Sequence, residues 1–306
     1  MSTISSGFAP VSSANSCAHL WRLFDGLGDL SHLLRPRQLA QRLAVLDELD
    51  LLFGGLTPEE LGTCSDSRIM ERVQDLMAEL EAANAKLYAA VRSEIVLRGN
   101  ALALRSLLTD SFVDNDHKWS RAGFGFDALD EIVNGVLQLH EPDGVGPQHS
   151  PEMIAYQPTP TRHILDLIAW SGLSGDDTLV DLGSGLGHVP LLASILTGSR
   201  ALGIEVQLGY VASAQECAKF LNLEHVQFAA GDARQADIST GTVFYLFSPF
   251  NGSILSHVLN RLLTESKDRH IRICSLGPCT HILQNRTWLR AITSVHSERV
   301  TVFESL

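Results

Sequence analysis

Asp181 stands two residues ahead of three alternating glycines, Gly183, Gly185 and Gly187, with Ser184 between the first two. Glycine costs conformational entropy inside any regular element, so three in five residues need a reason. One would suffice for a tight turn, and three predict a loop approached closely by a ligand. The residues before the loop, "TLVDL", are apolar and β-rich, and "HVPLLASIL" after it is apolar at helical spacing. A strand, a glycine loop and a helix N-terminus in that order make the usual ligand position of an open α/β sheet. No Gly-Lys-Ser/Thr follows, which excludes a phosphate-cradling P-loop. The spacing is GxGxG rather than the dinucleotide GxGxxG, and a carboxylate beside the loop suits an ammonium better than a pyrophosphate.

The stretch Asp181-Leu182-Gly183-Ser184-Gly185-Leu186-Gly187 resembles the first motif of class I S-adenosylmethionine-dependent methyltransferases. The resemblance implies S-adenosyl-L-methionine as cofactor. It also implies an acid closing the second strand to hold the cofactor's ribose hydroxyls, and "ALGIEV" supplies Glu205 with Val206 beside it. Near the adenine it implies an acid or amide after the third strand. "FAAGDAR" places Gly231, Asp232 and Ala233 there. A carboxylate can accept from both hydroxyls of a cis-diol, which suits Glu205 to that task.

After the fourth strand, "TVFYLF", the family often carries Asn/Asp-Pro-Pro-aromatic, whose first side chain and a backbone carbonyl hold a target nitrogen. This chain has Ser248-Pro249-Phe250-Asn251, preceded by Phe247. A hydroxyl replaces the amide and one proline is missing, so adenine or glutamine N-methylation does not follow. Ser248, Asn251 and Tyr156 are the catalytic candidates, with Phe247 facing the transferred methyl group. "YQPTP" at 156–160 corresponds to segments that pass over the methionine end of the cofactor, which adds Gln157 and Thr159. Together with the glycine loop it also resembles the histone lysine methyltransferases that lack a SET domain, although the basic tail of that type is absent. His188 reads as a first-turn helix residue, His163 as structural, and His140 and His149 as residues of a Pro/Gly-rich segment.

These residues need elements to position them. From residue 178 onward, "TLVDL", "SRALGIEV", "HVQFAA", "TVFYLF" and "HIRICSL" alternate with helix-length segments, the pattern of a parallel α/β sheet. "WLRAITSV" and "RVTVFESL" read as a hairpin, so the sheet should end with one antiparallel strand. The expected fold is a Rossmann-like, seven-stranded methyltransferase sheet over 151–306, preceded by an all-α domain over 17–150 and a flexible N-terminus over 1–16. In the helical part, Leu39, Leu43, Leu46, Leu49 and Leu52 form one stripe. Ile69, Val73, Leu76, Met77, Leu80, Ala83 and Leu87 form another, and both read as core. Thr57-Pro58-Glu59-Glu60 reads as a helix start with a capping box.

Composition narrows the function classes. Of the 306 residues 45% are hydrophobic and 19% charged, an ordinary balance for a folded domain. The net charge of −12 leaves no basic footprint for nucleic acid. The acidity is heavier in residues 1–150, which suits a neutral or cationic partner. The five cysteines are scattered with no CxxC, so no metal site is expected. No signal peptide or membrane span is read, and the expected location is cytoplasmic. Transfer of a methyl group to an N or O nucleophile follows from the resemblance, the acceptor being a small molecule. A protein side chain is the alternative acceptor, and a non-catalytic cofactor-binding protein is the reading from another class. The N-terminal helices also offer a surface for self-association.

Overall fold

The computed structural model describes residues 30–54, 67–99, 102–113, 122–142 and 151–306. The N-terminal segment 1–16, the capping box at Thr57–Glu60, and His149 lie outside the described residues. The chain divides into two compact units, Met1–Leu87 and Tyr88–Leu306.

In the first unit, two 3-10 turns, Leu30–His32 and Pro36–Gln38, lead into helix α1 (Leu39–Gly54). Helix α2 (Ser67–Arg98) contributes its first part here. The two leucine-rich stripes meet in one core of Leu33, Leu49, Val73, Leu76 and Leu80, with Val45, Leu46 and Met77 packed against it. Arg42 is fully buried among them. Its guanidinium donates through Nε to Asn84 Oδ1 at 2.7 Å and through Nη1 to the carbonyls of Leu33 and Arg35 at 2.6 Å each.

The second unit begins with the end of α2 and with α3 (Leu102–Val113). Next comes α4 (Ala128–Leu137), whose N-terminus is closed by a reciprocal cap. Asp127 accepts from the Leu129 N–H, and Asp130 accepts from the Asp127 N–H. The other Asp130 oxygen accepts from the Thr161 N–H at 2.6 Å, the first residue of α5 (Thr161–Ser171). That bond fixes α4 to α5, and Gly172 ends α5 in the left-handed region, φ 64°.

The sheet follows, with β1 (Thr178–Leu182), α6 (His188–Thr197), β2 (Arg200–Glu205), α7 (Leu208–Phe220) and β3 (Val226–Ala230). After these come β4 (Val243–Phe247), α8 (Gly252–Glu265), β5 (Arg272–Leu276), α9 (Cys279–Gln284), β6 (Leu289–Ala291) and β7 (Thr301–Ser305). The strand order is β3-β2-β1-β4-β5-β7-β6, a seven-stranded mixed sheet of the Rossmann-like, open α/β kind. β1 lies at its centre, buried at all five positions and parallel to both β2 and β4. A core of Val180, Leu182, Phe244, Leu246, Leu259 and Ile273 packs one face of the sheet against α8.

The C-terminal pair forms the expected antiparallel hairpin and differs from the sequence expectation only in its place in the sheet. The antiparallel strand does not end the sheet. β7 is inserted between β5 and β6 and is antiparallel to both, which leaves β6 at the edge. The burial pattern supplies the reason. Val302 and Phe303 on β7 are almost fully buried, and an interior position also pairs both edges of this strand.

Among the described residues no helix is long and apolar enough to cross a membrane.

Candidate active site

Parallel strands place their loops at one end, and the reversal of connection order beside β1 opens a crevice there. At that end lies a cavity of about 550 Å³, formed entirely within the second unit. Its lining includes Tyr156, Gln157, Thr159, Asp181, Gly183, Ser184, Glu205, Val206, Gly231, Asp232, Ala233, Phe247 and Ser248. Most of the sequence-derived candidates therefore converge. Gly185, Gly187 and Asn251 stand outside the lining.

Asp181, the last but one residue of β1, is almost wholly buried, 3% exposed. Desolvation, reinforced by the charge of Glu205, pushes its carboxyl well above the usual carboxylate range. Among the described residues no hydrogen-bond donor meets it. The Ser184 hydroxyl is buried in the same wall, also with no partner. Two unsatisfied polar groups facing one cavity fit a ligand bearing both a cationic donor and acceptor atoms.

Glu205 ends β2, and its carboxylate ties the two loops together. One oxygen accepts from the Gly185 N–H at 3.0 Å and the other from the Gln207 N–H at 2.8 Å. Each carboxylate oxygen keeps a second lone pair, enough to accept from a pair of ribose hydroxyls. Asp232 behaves differently. Its carboxylate is bound by the Arg234 guanidinium at 2.5–3.0 Å and by the Arg234 N–H at 2.8 Å. The Arg234 hydrogen bond holds it below its ordinary pKa, against partial desolvation. The acid placed near the adenine by sequence is therefore engaged by its own neighbour.

The three glycines have a reason the sequence did not reveal. All sit in the left-handed region, at φ 94°, 52° and 85° for Gly183, Gly185 and Gly187. A β-carbon would collide with Pro249 at Gly183, with the Tyr156 ring at Gly185, and with Phe228 at Gly187. The chain's own side chains approach the loop closely as well and mould it around the cavity.

Tyr156 thus lies on the glycine loop, with its ring 4.8 Å from that of Tyr210 and its hydroxyl 3.4 Å from His188 Nδ1. Burial raises Tyr156 and lowers His188 to about 4, so the imidazole is neutral at physiological pH. The other ring nitrogen of His188 is 3.0 Å from Asn134 Oδ1, which assigns the proton to Nε2. His188 does open α6 as expected, yet it also forms part of the cavity wall. At the back, the Thr159 and Tyr245 hydroxyls pair at 3.0 Å. His163 is structural: it is fully buried, with Nε2 2.8 Å from the Gly123 carbonyl. His140 gives its carbonyl to the Ser213 hydroxyl.

The β4 exit places Ser248 in the wall but commits its hydroxyl. Oγ donates to the Leu276 carbonyl at 3.1 Å and accepts from the Cys279 N–H at 3.0 Å, tying β4 to the start of α9. The residue is held at φ 41°, an uncommon conformation for serine. Asn251 caps α8 without a side-chain bond and lies exposed, away from the cavity lining.

Phe124, Tyr210, Glu141 and Tyr245 line the site without having been singled out. Phe124 stacks obliquely on Phe247, ring centres 5.2 Å apart. Glu141 accepts from the Tyr210 hydroxyl at 2.9 Å.

No protein-family model and no curated protein sequence matches the chain. Solved structures do. An RNA methyltransferase from Salinibacter ruber, in complex with S-adenosyl-L-homocysteine, is 26% identical and covers 49% of this chain and 92% of its own, at a TM-score of 0.39. The putative methyltransferase yhhF from Escherichia coli is 15% identical over 50% of this chain and 89% of its own, at a TM-score of 0.39. A precorrin-6y C5,15-methyltransferase from Geobacter metallireducens GS-15 is 14% identical over 51% and 91%, at 0.38.

Proposed function

We propose that this chain transfers a methyl group from S-adenosyl-L-methionine to an N or O nucleophile on a small molecule. The observation that carries the reading is the buried Asp181 carboxyl, which lines one cavity with the unpartnered Ser184 hydroxyl and with Glu205. A nucleoside that carries a free amino-acid end satisfies that set. Asp181 takes its ammonium, Ser184 an atom of its amino-acid end, and Glu205 its ribose hydroxyls. When bound, the cofactor would supply a methyl group activated by a sulfonium, with a neutral thioether as the leaving group.

The protein's part is alignment and exclusion of water. Tyr156 closes the methionine end by packing on Gly185, and its hydroxyl is oriented by neutral His188. Phe247 walls the acceptor side, and Ser248 holds that wall in place through Leu276 and Cys279. Asp232, bound to Arg234, presents the adjoining backbone of Ala233 for the adenine ring.

Calorimetry with S-adenosylmethionine tests the donor, and absence of binding at millimolar concentration overturns it. Incubation of a lysate with methyl-labelled cofactor, separated into protein and small-molecule fractions, tests the acceptor. Label confined to protein would replace the small-molecule reading with protein methylation.

A further inference from the structure

The cavity has two chemically distinct sides. The carboxylates Asp181, Glu205 and Asp232 stand at the ends of β1, β2 and β3, and Glu141 reaches the same side through Tyr210 on α7. The other side lies over the ends of β4 and β5. Its wall is Phe124, Met153, Ile154, Phe247, Pro249 and Pro278, with the committed hydroxyl of Ser248 among them. Among the described residues, no charged side chain lines that side.

This apolar wall is built rather than incidental. The strap at 152–154 is fastened to the β4 exit, because the Ile154 N–H donates to the Pro249 carbonyl at 3.0 Å and the Asn251 N–H to the Glu152 carbonyl at 2.9 Å. Phe124 is delivered from a separate segment that Arg162 anchors. The Arg162 guanidinium donates to the carbonyls of Gly123 and Gly125 and pairs with Asp127. His163 adds a second contact to Gly123. Two independent anchors therefore bring apolar side chains against Phe247.

We infer that the methyl acceptor is an uncharged molecule with an apolar, preferably aromatic, body that packs against the Phe124–Phe247 pair and carries its hydroxyl, amide or arylamine nucleophile toward the carboxylate-lined side, where the proposed cofactor presents its methyl group. The inference rests on the proposed methyl transfer and narrows its acceptor. A phosphate or carboxylate would lose its hydration on this side with no partner, which is strongly unfavourable. An alkylammonium would meet the same loss beside a sulfonium of like charge. A flat neutral ring gains contact with two aromatic faces at no such cost.

The test uses the full chain and methyl-labelled S-adenosylmethionine on a small-molecule extract. The extract is divided into a neutral, solvent-extractable fraction and fractions retained on anion and cation exchangers. Label should enter the neutral fraction at least tenfold above either charged fraction. Label in a charged fraction, or none in the neutral one while calorimetry shows the cofactor bound, overturns the acceptor class alone. Loss of cofactor binding itself would overturn the methyl-donor assignment and this inference with it. With the labelled neutral fraction as acceptor, F124E should raise the acceptor KM at least tenfold and leave cofactor affinity unchanged, whereas F124L stays within about threefold of the parent. An unchanged acceptor KM in F124E overturns the assignment of this wall.

Discussion

At the residue scale, two acids four residues apart, one just before β1 and one within it, have opposite linkage to pH. Asp177, just before β1, is partly desolvated, but hydrogen bonds from Thr242 and Ser174 and its pairing with Arg272 outweigh this and lower its pKa. Its stabilisation is present above the ordinary carboxylate range and is lost as pH falls through the lowered value. Asp181 is raised, so the folded chain binds the extra proton. Without ligand it should lose stability as pH climbs from the ordinary carboxylate range through the raised value. Thermal melts against pH should therefore show a decline on the alkaline side that D181N removes. Saturating S-adenosylmethionine should flatten the same decline, because the ammonium favours the ionised form. D181N should also weaken cofactor binding by about 10- to 100-fold, the usual worth of a hydrogen bond to a charged group. Asp181 was legible in the sequence because its spacing to the glycines is local. That Asp232 would be taken by Arg234 was not, since Asp-Ala-Arg reads equally well with the two side chains apart.

At the scale of elements, the β1–α6 turn and the cap of α8 both depend on side chains brought from far along the chain. Gly187 needs its left-handed backbone and also the space filled by Phe228. G187A should cost about 2 kcal/mol or more of stability, from backbone strain and overpacking together, measured by denaturant unfolding. The N-terminus of α8 is capped from outside by Glu152, whose carboxylate accepts from the Ser253 and Ile254 N–H groups at 3.0 Å and from the Ser253 hydroxyl at 2.7 Å. E152A should lower the melting temperature and loosen the 151–154 strap, seen as faster amide exchange at Ile154, and E152Q should recover part of both. The sequence made the strand–turn–helix units readable because hydrophobic periodicity and turn residues are short-range signals. It could not reveal that Pro249, Tyr156 and Phe228 would fill the space over the glycines. A side chain and a ligand demand the same absence of a β-carbon.

At the scale of the whole molecule, every residue lining the cavity falls between Phe124 and Pro278, inside the second unit. A shortened chain beginning at Tyr88 should bind S-adenosylmethionine within about threefold of the full chain. A larger loss by calorimetry would assign the first unit a part in the site. The strand alternation announced a Rossmann-like sheet, but the place of β7 depends on pairings across more than a dozen residues, which no local pattern encodes. That placement has a consequence for how the chain is made. The strands emerge in the order β1 to β7, yet the sixth to emerge is the outermost and the seventh lies inside it. While synthesis reaches only Ala291, β5 offers an open edge and β6 has nothing to pair with. Both wait for Thr301–Ser305, so the right-hand half of the sheet closes in one late event rather than strand by strand.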